Sequence, residues 1–74
     1  MKRDTHDKYC QRIHLAQFML EDQFPGLEMK EQFESFGKRH FGENFIGIGP
    51  IEFEPKQQMW TANFAFWKPK VKLK

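Results

Sequence analysis

Two stretches of strict two-residue alternation, joined by a polar loop, constrain the fold of this chain more than any other feature. Ile51-Glu52-Phe53-Glu54 alternates apolar with acidic residues, and Met59 to Trp67 alternates again after Pro55-Lys56-Gln57-Gln58. This pattern predicts an antiparallel β-hairpin with one apolar face. We expect one face to cover helices, with Ile51, Phe53, Trp60, Ala62, Phe64 and Phe66. The other should meet water or a partner, with Glu52, Glu54, Thr61, Asn63, Ala65 and Trp67.

The first half of the chain shows helical spacing instead. Apolar residues at i, i+4, i+7 and i+11 predict a helix over 4–23 and a second over 27–40, since these positions share one helical face. The first stripe is Tyr9, Ile13, Ala16 and Leu20, and the second is Met29, Phe33, Phe36 and His40. Phe24-Pro25-Gly26 breaks the pattern between them. Two helices joined by so short a break predict a helical hairpin.

These segments together predict an α+β fold. We expect a two-helix hairpin packed on a small antiparallel sheet of two or three strands, in the order α-α-β-β. Residues 45–48 are β-prone and would supply the short extra strand of the larger alternative. The predicted organisation is a single domain over 1–67 followed by a basic C-terminal tail over 68–74.

Aromatic residues dominate the core material of this small protein. A chain of 74 residues buries only about 60% of the surface that its unfolded form exposes. Nine Phe, two Trp and one Tyr compensate, because each ring buries on the order of 150–250 Å². Twelve rings exceed what so small an interior needs, so we expect some of them at the surface, where an apolar patch marks a contact site.

Cysteine use and hydropathy indicate the compartment. Cys10 is the single cysteine, which excludes an intramolecular disulfide and favours a reducing, cytoplasmic setting. The sequence also contains neither an apolar signal segment nor a run of 18 apolar residues, so we expect no association with a membrane.

His6, Cys10 and His14 form the sharpest chemical pattern. On a helix, residues four apart lie one turn from each other, so two of the three could hold a metal ion or pair as thiol and base. The third would lie too far along the axis, and no C-x-x-C pair supports a zinc site. We therefore expect a non-enzymatic protein with no catalytic residues, cofactor or bound metal, and no small-molecule substrate.

The leading functional hypothesis is a small interaction or regulatory protein. Tryptophan is enriched at the energetic centres of protein interfaces, and a small sheet leaves edges that can pair with another strand. The predicted contact residues are Trp67, Trp60, Phe66 and Met59. They would bind another protein or a second copy of the chain in a homo-oligomer.

The alternative is weak nucleic-acid binding through the C-terminal end. Lysines contact phosphates and an exposed tryptophan stacks on a base, which indicates Trp67, Lys68, Lys70, Lys72 and Lys74 as the binding residues. Two structural roles compete with this one. Lysines along an edge strand protect it against aggregation, and a short basic terminus can be a solubilising tail. The formal net charge is only +2, which weighs against a dedicated nucleic-acid module.

Overall fold

The computed structural model describes residues 6–69 and shows one antiparallel sheet with two α-helices on one of its faces. The chain order is β-α-α-β-β-β. The elements are β1 (His6–Leu15), α1 (Gln17–Gln23), α2 (Met29–Phe41), a 3₁₀ turn (Gly42–Asn44), β2 (Phe45–Ile48), β3 (Glu52–Glu54) and β4 (Met59–Pro69). The α+β class is thus confirmed, whereas the predicted order α-α-β-β is wrong because a strand precedes the helices.

The predicted helix over 4–23 is wrong across residues 6–15, which form β1. A spacing of four residues fits one face of a helix and also one face of a strand, because four is a multiple of the strand period of two. Tyr9 and Ile13 therefore satisfied both patterns. Only Gln17–Gln23 of the predicted segment is helical, and residues 4 and 5 lie outside the described part of the chain.

Strand β4 is the centre of the sheet. It pairs with β1 without a break from His6↔Pro69 to Leu15↔Trp60. Its opposite edge pairs with β2 near Phe66 and with β3 near Trp60, so two short strands share one edge. The sheet therefore has four strands in the order β1-β4-β2, with β3 also on β4, rather than two or three.

The predicted second helix over 27–40 is confirmed within two residues at each end as Met29–Phe41. Its start carries a capping box, in which Glu28 and Glu31 exchange side-chain and backbone hydrogen bonds. This arrangement satisfies amide groups that have no partner within the helix. Gly42 ends the helix at a φ of 61°, a conformation that favours glycine.

A buried glutamine joins the two helices. Gln32 is 4% exposed, and its Nε2 donates to the carbonyl of Phe24 at 3.0 Å and to that of Leu20 at 3.5 Å. Carbonyls at the end of a helix have no intrahelical partner. Gln32, which belongs to α2, therefore supplies a hydrogen bond to the end of α1 and links the two helices.

The core lies between α2 and the even-numbered residues of β4. Ala62 and Phe64 are fully buried and Phe66 is 7% exposed. Their neighbours are rings of α2 and β2, with Phe33 and Phe36 at 5.8 Å from Phe64 and Phe41 at 4.2 Å from Phe66. The predicted helix-covering face of β4 is confirmed by these contacts.

Candidate interaction surface

β1 is a long edge strand. Its ten residues pair with β4 on one side, and no other strand within residues 6–69 pairs with the opposite side. Most of its residues are exposed, and it contains neither Gly nor Pro. A long, regular and exposed edge is a template for another strand, because it presents unpaired backbone donors and acceptors. We call this side of β1 the open edge.

The orientation of the backbone groups follows from one hydrogen bond on the far side of the sheet. The N–H of Gly49 donates to the carbonyl of Asn63 at 2.9 Å, so the backbone groups of Asn63 point towards β2 and β3. In an antiparallel strand, successive residues direct these groups to alternate sides. Ala62 and Phe64 therefore direct theirs towards β1.

The same alternation then applies to β1. Ile13 and Gln11 lie opposite Ala62 and Phe64, so they exchange the hydrogen bonds with β4. The even-numbered residues of β1 therefore direct their N–H and C=O groups to the open edge. Between residues 8 and 14, these are Lys8, Cys10, Arg12 and His14. Between Lys8 and His14, the open edge thus offers eight backbone hydrogen-bonding groups.

The side chains of β1 divide between the two faces of the sheet. Lys8, Cys10, Arg12 and His14 lie on the outer face, which we define as the face turned away from the helices. Arg12 Nη1 donates to Thr61 Oγ1 at 3.3 Å and lies 3.9 Å from Glu52 Oε1. Thr61 is only 5% exposed as a result, although the alternation assigned it to the accessible face.

Tyr9 and Ile13 lie on the helix side of β1. The Tyr9 ring stacks on Phe66 at 6.3 Å and has the Lys68 ammonium 5.2 Å from its centroid, yet it remains 41% exposed. Ile13 is half-buried. The helices pack over β4 and β2, and on this side of β1 Tyr9 and the half-buried Ile13 flank the exposed Gln11 within reach of a strand added at the open edge.

The predicted partner-binding residues do not form one surface. Phe66 is in the core, and Trp60 lies on the same helix side, half-buried, with its Nε1 donating to Gln17 Oε1 at 3.4 Å. Met59 and Trp67 lie on the outer face, eight residues apart along β4, which is about 26 Å. The sheet therefore does not present the four side chains as a single contact surface for one partner.

The predicted nucleic-acid residues are also divided. Trp67 lies on the outer face directly opposite Lys8. Lys68 lies on the helix side above Tyr9, within β4 rather than in a tail. Lys70, Lys72 and Lys74 lie outside the described residues.

His6, Cys10 and His14 share the outer face of β1, but the strand separates them. Residues four apart on a strand lie about 13 Å from each other, so these three side chains cannot meet at one ion. Within residues 6–69, no group of three or more His, Cys, Asp or Glu side chains is close enough to hold a metal. The helical turn on which the pattern depended is absent here.

A cleft and an exposed phenylalanine lie elsewhere on the described residues. A cleft of about 220 Å³ is lined by Lys30 and residues 48–51, which is less than the roughly 300–1,000 Å³ of typical ligand pockets. Phe18 on α1 is the most exposed of the large apolar residues described, at 79%. Neither helix of the described part is long and apolar enough to cross a membrane.

Comparison with protein-family models, with curated proteins and with solved structures finds no match to this chain. We therefore infer the function from the geometry of the sheet.

Proposed function

We propose that this protein is a non-enzymatic interaction module that binds an extended polypeptide segment along the open edge of β1. The observation that carries the proposal is the row of backbone groups on Lys8, Cys10, Arg12 and His14. Strand addition uses such groups for affinity and the flanking side chains for specificity. This mode keeps the predicted role in protein binding, but places it on the edge of the sheet.

The flanking side chains suit strand addition. Tyr9 and Ile13 offer apolar contacts on the helix side, and Arg12 and Lys8 offer charge on the outer face. Cross-strand pairs with such residues contribute roughly 0.2–1 kcal/mol each. Backbone hydrogen bonds add about 0.5–1.5 kcal/mol each. Four paired residues can therefore sustain a specific contact.

Two substitutions at Cys10 test the proposal. Proline removes the outward N–H and blocks pairing at the open edge, while the hydrogen bonds to β4 come from Gln11 and Tyr9. Threonine changes the same exposed side chain but keeps the N–H. We expect partners captured from the native host by the wild-type protein to be retained by Cys10→Thr and lost by Cys10→Pro. Equal capture by both variants, with both folded by circular dichroism, would sink the proposal.

Nucleic-acid binding is the second candidate, and the pairing of Lys8 with Trp67 favours it. This pairing sets a cation beside an aromatic ring on the outer face, and Arg12 lies further along the same face. Phosphate contact and base stacking together make up single-strand binding. The Lys8 cation adds to the C-terminal lysines that the sequence indicated.

Tryptophan fluorescence tests this candidate. In a Trp60→Phe background, a single-stranded oligonucleotide should quench Trp67, with affinity that falls steeply as salt rises. Lys8→Gln should weaken binding, whereas Lys56→Gln in the β3–β4 loop serves as the matched control. Absence of quenching at low salt, or equal losses in both lysine variants, would reject the candidate.

A further inference from the structure

We infer that the segment bound at the open edge is β1 of a second copy, paired antiparallel about a two-fold axis at Gln11. The inference rests on the proposed strand addition and names its partner. It would join two sheets into one continuous sheet through a β1–β1 contact. The two-fold symmetry is the commonest one among homo-oligomers.

Symmetry restricts the register. Residues opposite each other in an antiparallel pair must lie on the same face of the sheet. A two-fold axis normal to the sheet meets this condition only when it passes between one residue and the same residue of the second copy. The available centres within β1 are therefore single residues, from Tyr9 to Ile13.

A centre at Gln11 uses all the outward backbone groups from Lys8 to His14. It places Lys8 opposite His14 of the second copy and Cys10 opposite Arg12 of the second copy. Each of the four outward residues then meets another outward residue, and hydrogen-bonded pairs form at all four positions. A centre at Tyr9 would instead place His14 opposite residue 4, outside the described residues, and a centre at Ile13 would place Cys10 opposite Ala16, beyond the end of β1.

Charge excludes two other centres. A centre at Cys10 places Lys8 opposite Arg12 of the second copy, and a centre at Arg12 places two guanidinium groups opposite each other. Like charges directly opposite in a sheet are destabilising. The Gln11 centre avoids both arrangements.

Apolar pairing favours the same register. On the helix side, the Gln11 centre places Tyr9 opposite Ile13 of the second copy, and the symmetry repeats this pair. An aromatic ring opposite a β-branched side chain is a favourable cross-strand pair. Tyr9, which is 41% exposed in one copy, would gain a neighbour that the single chain lacks.

The paired sheet would also remove the longest exposed edge. Each copy would keep only β2 and β3 at its far side, with four and three residues. Short edge strands are a common protection against further association. The assembly would therefore stop at two copies.

Disulfide trapping tests the register. At a centre on Gln11, the two Gln11 Cα atoms lie about 4.5 Å apart as a non-hydrogen-bonded pair, within the roughly 4.4–6.8 Å that a disulfide spans. The two native Cys10 residues are then diagonal neighbours at about 7–8 Å, beyond that span. We use Cys10→Ser/Gln11→Cys against the wild type, with Cys10→Ser/Gln57→Cys as the control for random collision.

We expect the Gln11→Cys variant to form dimers at least about tenfold faster than either other protein, because the assembly raises the effective thiol concentration to the mM range. Faster cross-linking of native Cys10 would overturn the register. Rates equal to the control, with a monomer by sedimentation velocity at the highest soluble concentration, would overturn self-association. Strand addition to a different protein would then still be decided by the two Cys10 variants in the capture experiment.

Discussion

Phe64 carries the packing of this fold, and its truncation should be the most costly single change in the core. The ring is fully buried. Four other rings surround it at centroid distances of 5.8 to 6.3 Å, namely Phe33, Phe36, Phe41 and Phe45. Phe64→Ala opens a cavity among side chains that also contact each other, so the site cannot collapse freely. The expected loss in the free energy of unfolding is about 3–5 kcal/mol.

That loss is large for a domain of this length. A stability of about 0.05–0.15 kcal/mol per residue gives roughly 4–11 kcal/mol in total. The melting temperature should fall by about 4–8 °C for each kcal/mol, and Phe64→Ala should leave little folded protein at 37 °C. Phe64→Leu keeps most of the apolar contacts and should cost about 1–3 kcal/mol.

Urea unfolding at one fixed protein concentration, followed by far-ultraviolet circular dichroism, provides the measurement. The matched control is Phe18→Ala, since Phe18 is 79% exposed and its loss should change stability by no more than about 0.5 kcal/mol. If both alanine variants unfold at the same urea concentration, the central position of Phe64 is refuted.

Three further changes have defined outcomes. Gly37→Ala would set a Cβ against the Phe45 ring. The resulting overpacking costs about 1–3 kcal/mol, which should outweigh the gain of about 0.5–1 kcal/mol from helix propensity. Calorimetry should therefore show a lower melting temperature, and an unchanged one would contradict the close contact. Gln32→Leu removes the hydrogen bond to the Phe24 carbonyl and should cost about 1–3 kcal/mol in urea unfolding, whereas a neutral result would mean that this carbonyl has another partner. Gln11→Pro removes an N–H bonded to β4 and should destabilise by a similar amount, while Cys10→Pro should lower thermal stability much less; equal losses would contradict the assigned orientation of β1.

The sequence predicted the C-terminal half of the fold well because its signals are local. The alternation from Met59 to Trp67 identified β4 and its apolar face, and the loop at 55–58 identified the β3–β4 hairpin. The spacing of Met29, Phe33, Phe36 and His40 identified α2. In each case the residues that carry the signal lie close together in the chain.

Strand β1 was missed because its partner is about fifty residues away. The Tyr9–Ile13 spacing fits helix and strand equally, and nothing nearby decides between them. One signal did exist in the alternation of Lys8, Arg12 and His14 with Tyr9 and Ile13, although Cys10-Gln11 interrupts it. A second signal was the length and apolar character of β4. The three-residue β3 is too short to pair with all of β4, so a further strand had to lie beside it.

The reassignment of residues 6–15 from helix to strand also changed the candidate site. The sequence predicted a contact through Trp67, Trp60, Phe66 and Met59 of β4, yet Phe66 is buried in the core. The edge became visible only once β1 was a strand, since on a helix its backbone groups would be paired internally. No residue type marks an unpaired strand edge, so the sequence does not indicate such an edge as directly as it indicates a tryptophan.

Hydrogen exchange of the β1 amides, measured by nuclear magnetic resonance in dilute solution, tests the open edge most directly. We predict an alternating pattern, with slow exchange at Tyr9, Gln11 and Ile13 and fast exchange at Lys8, Cys10, Arg12 and His14. The fast amides should become protected as the protein concentration rises. Uniform protection across residues 8–14 in dilute solution, or none at any of them, would contradict the account of β1 as an edge strand with an unpaired side.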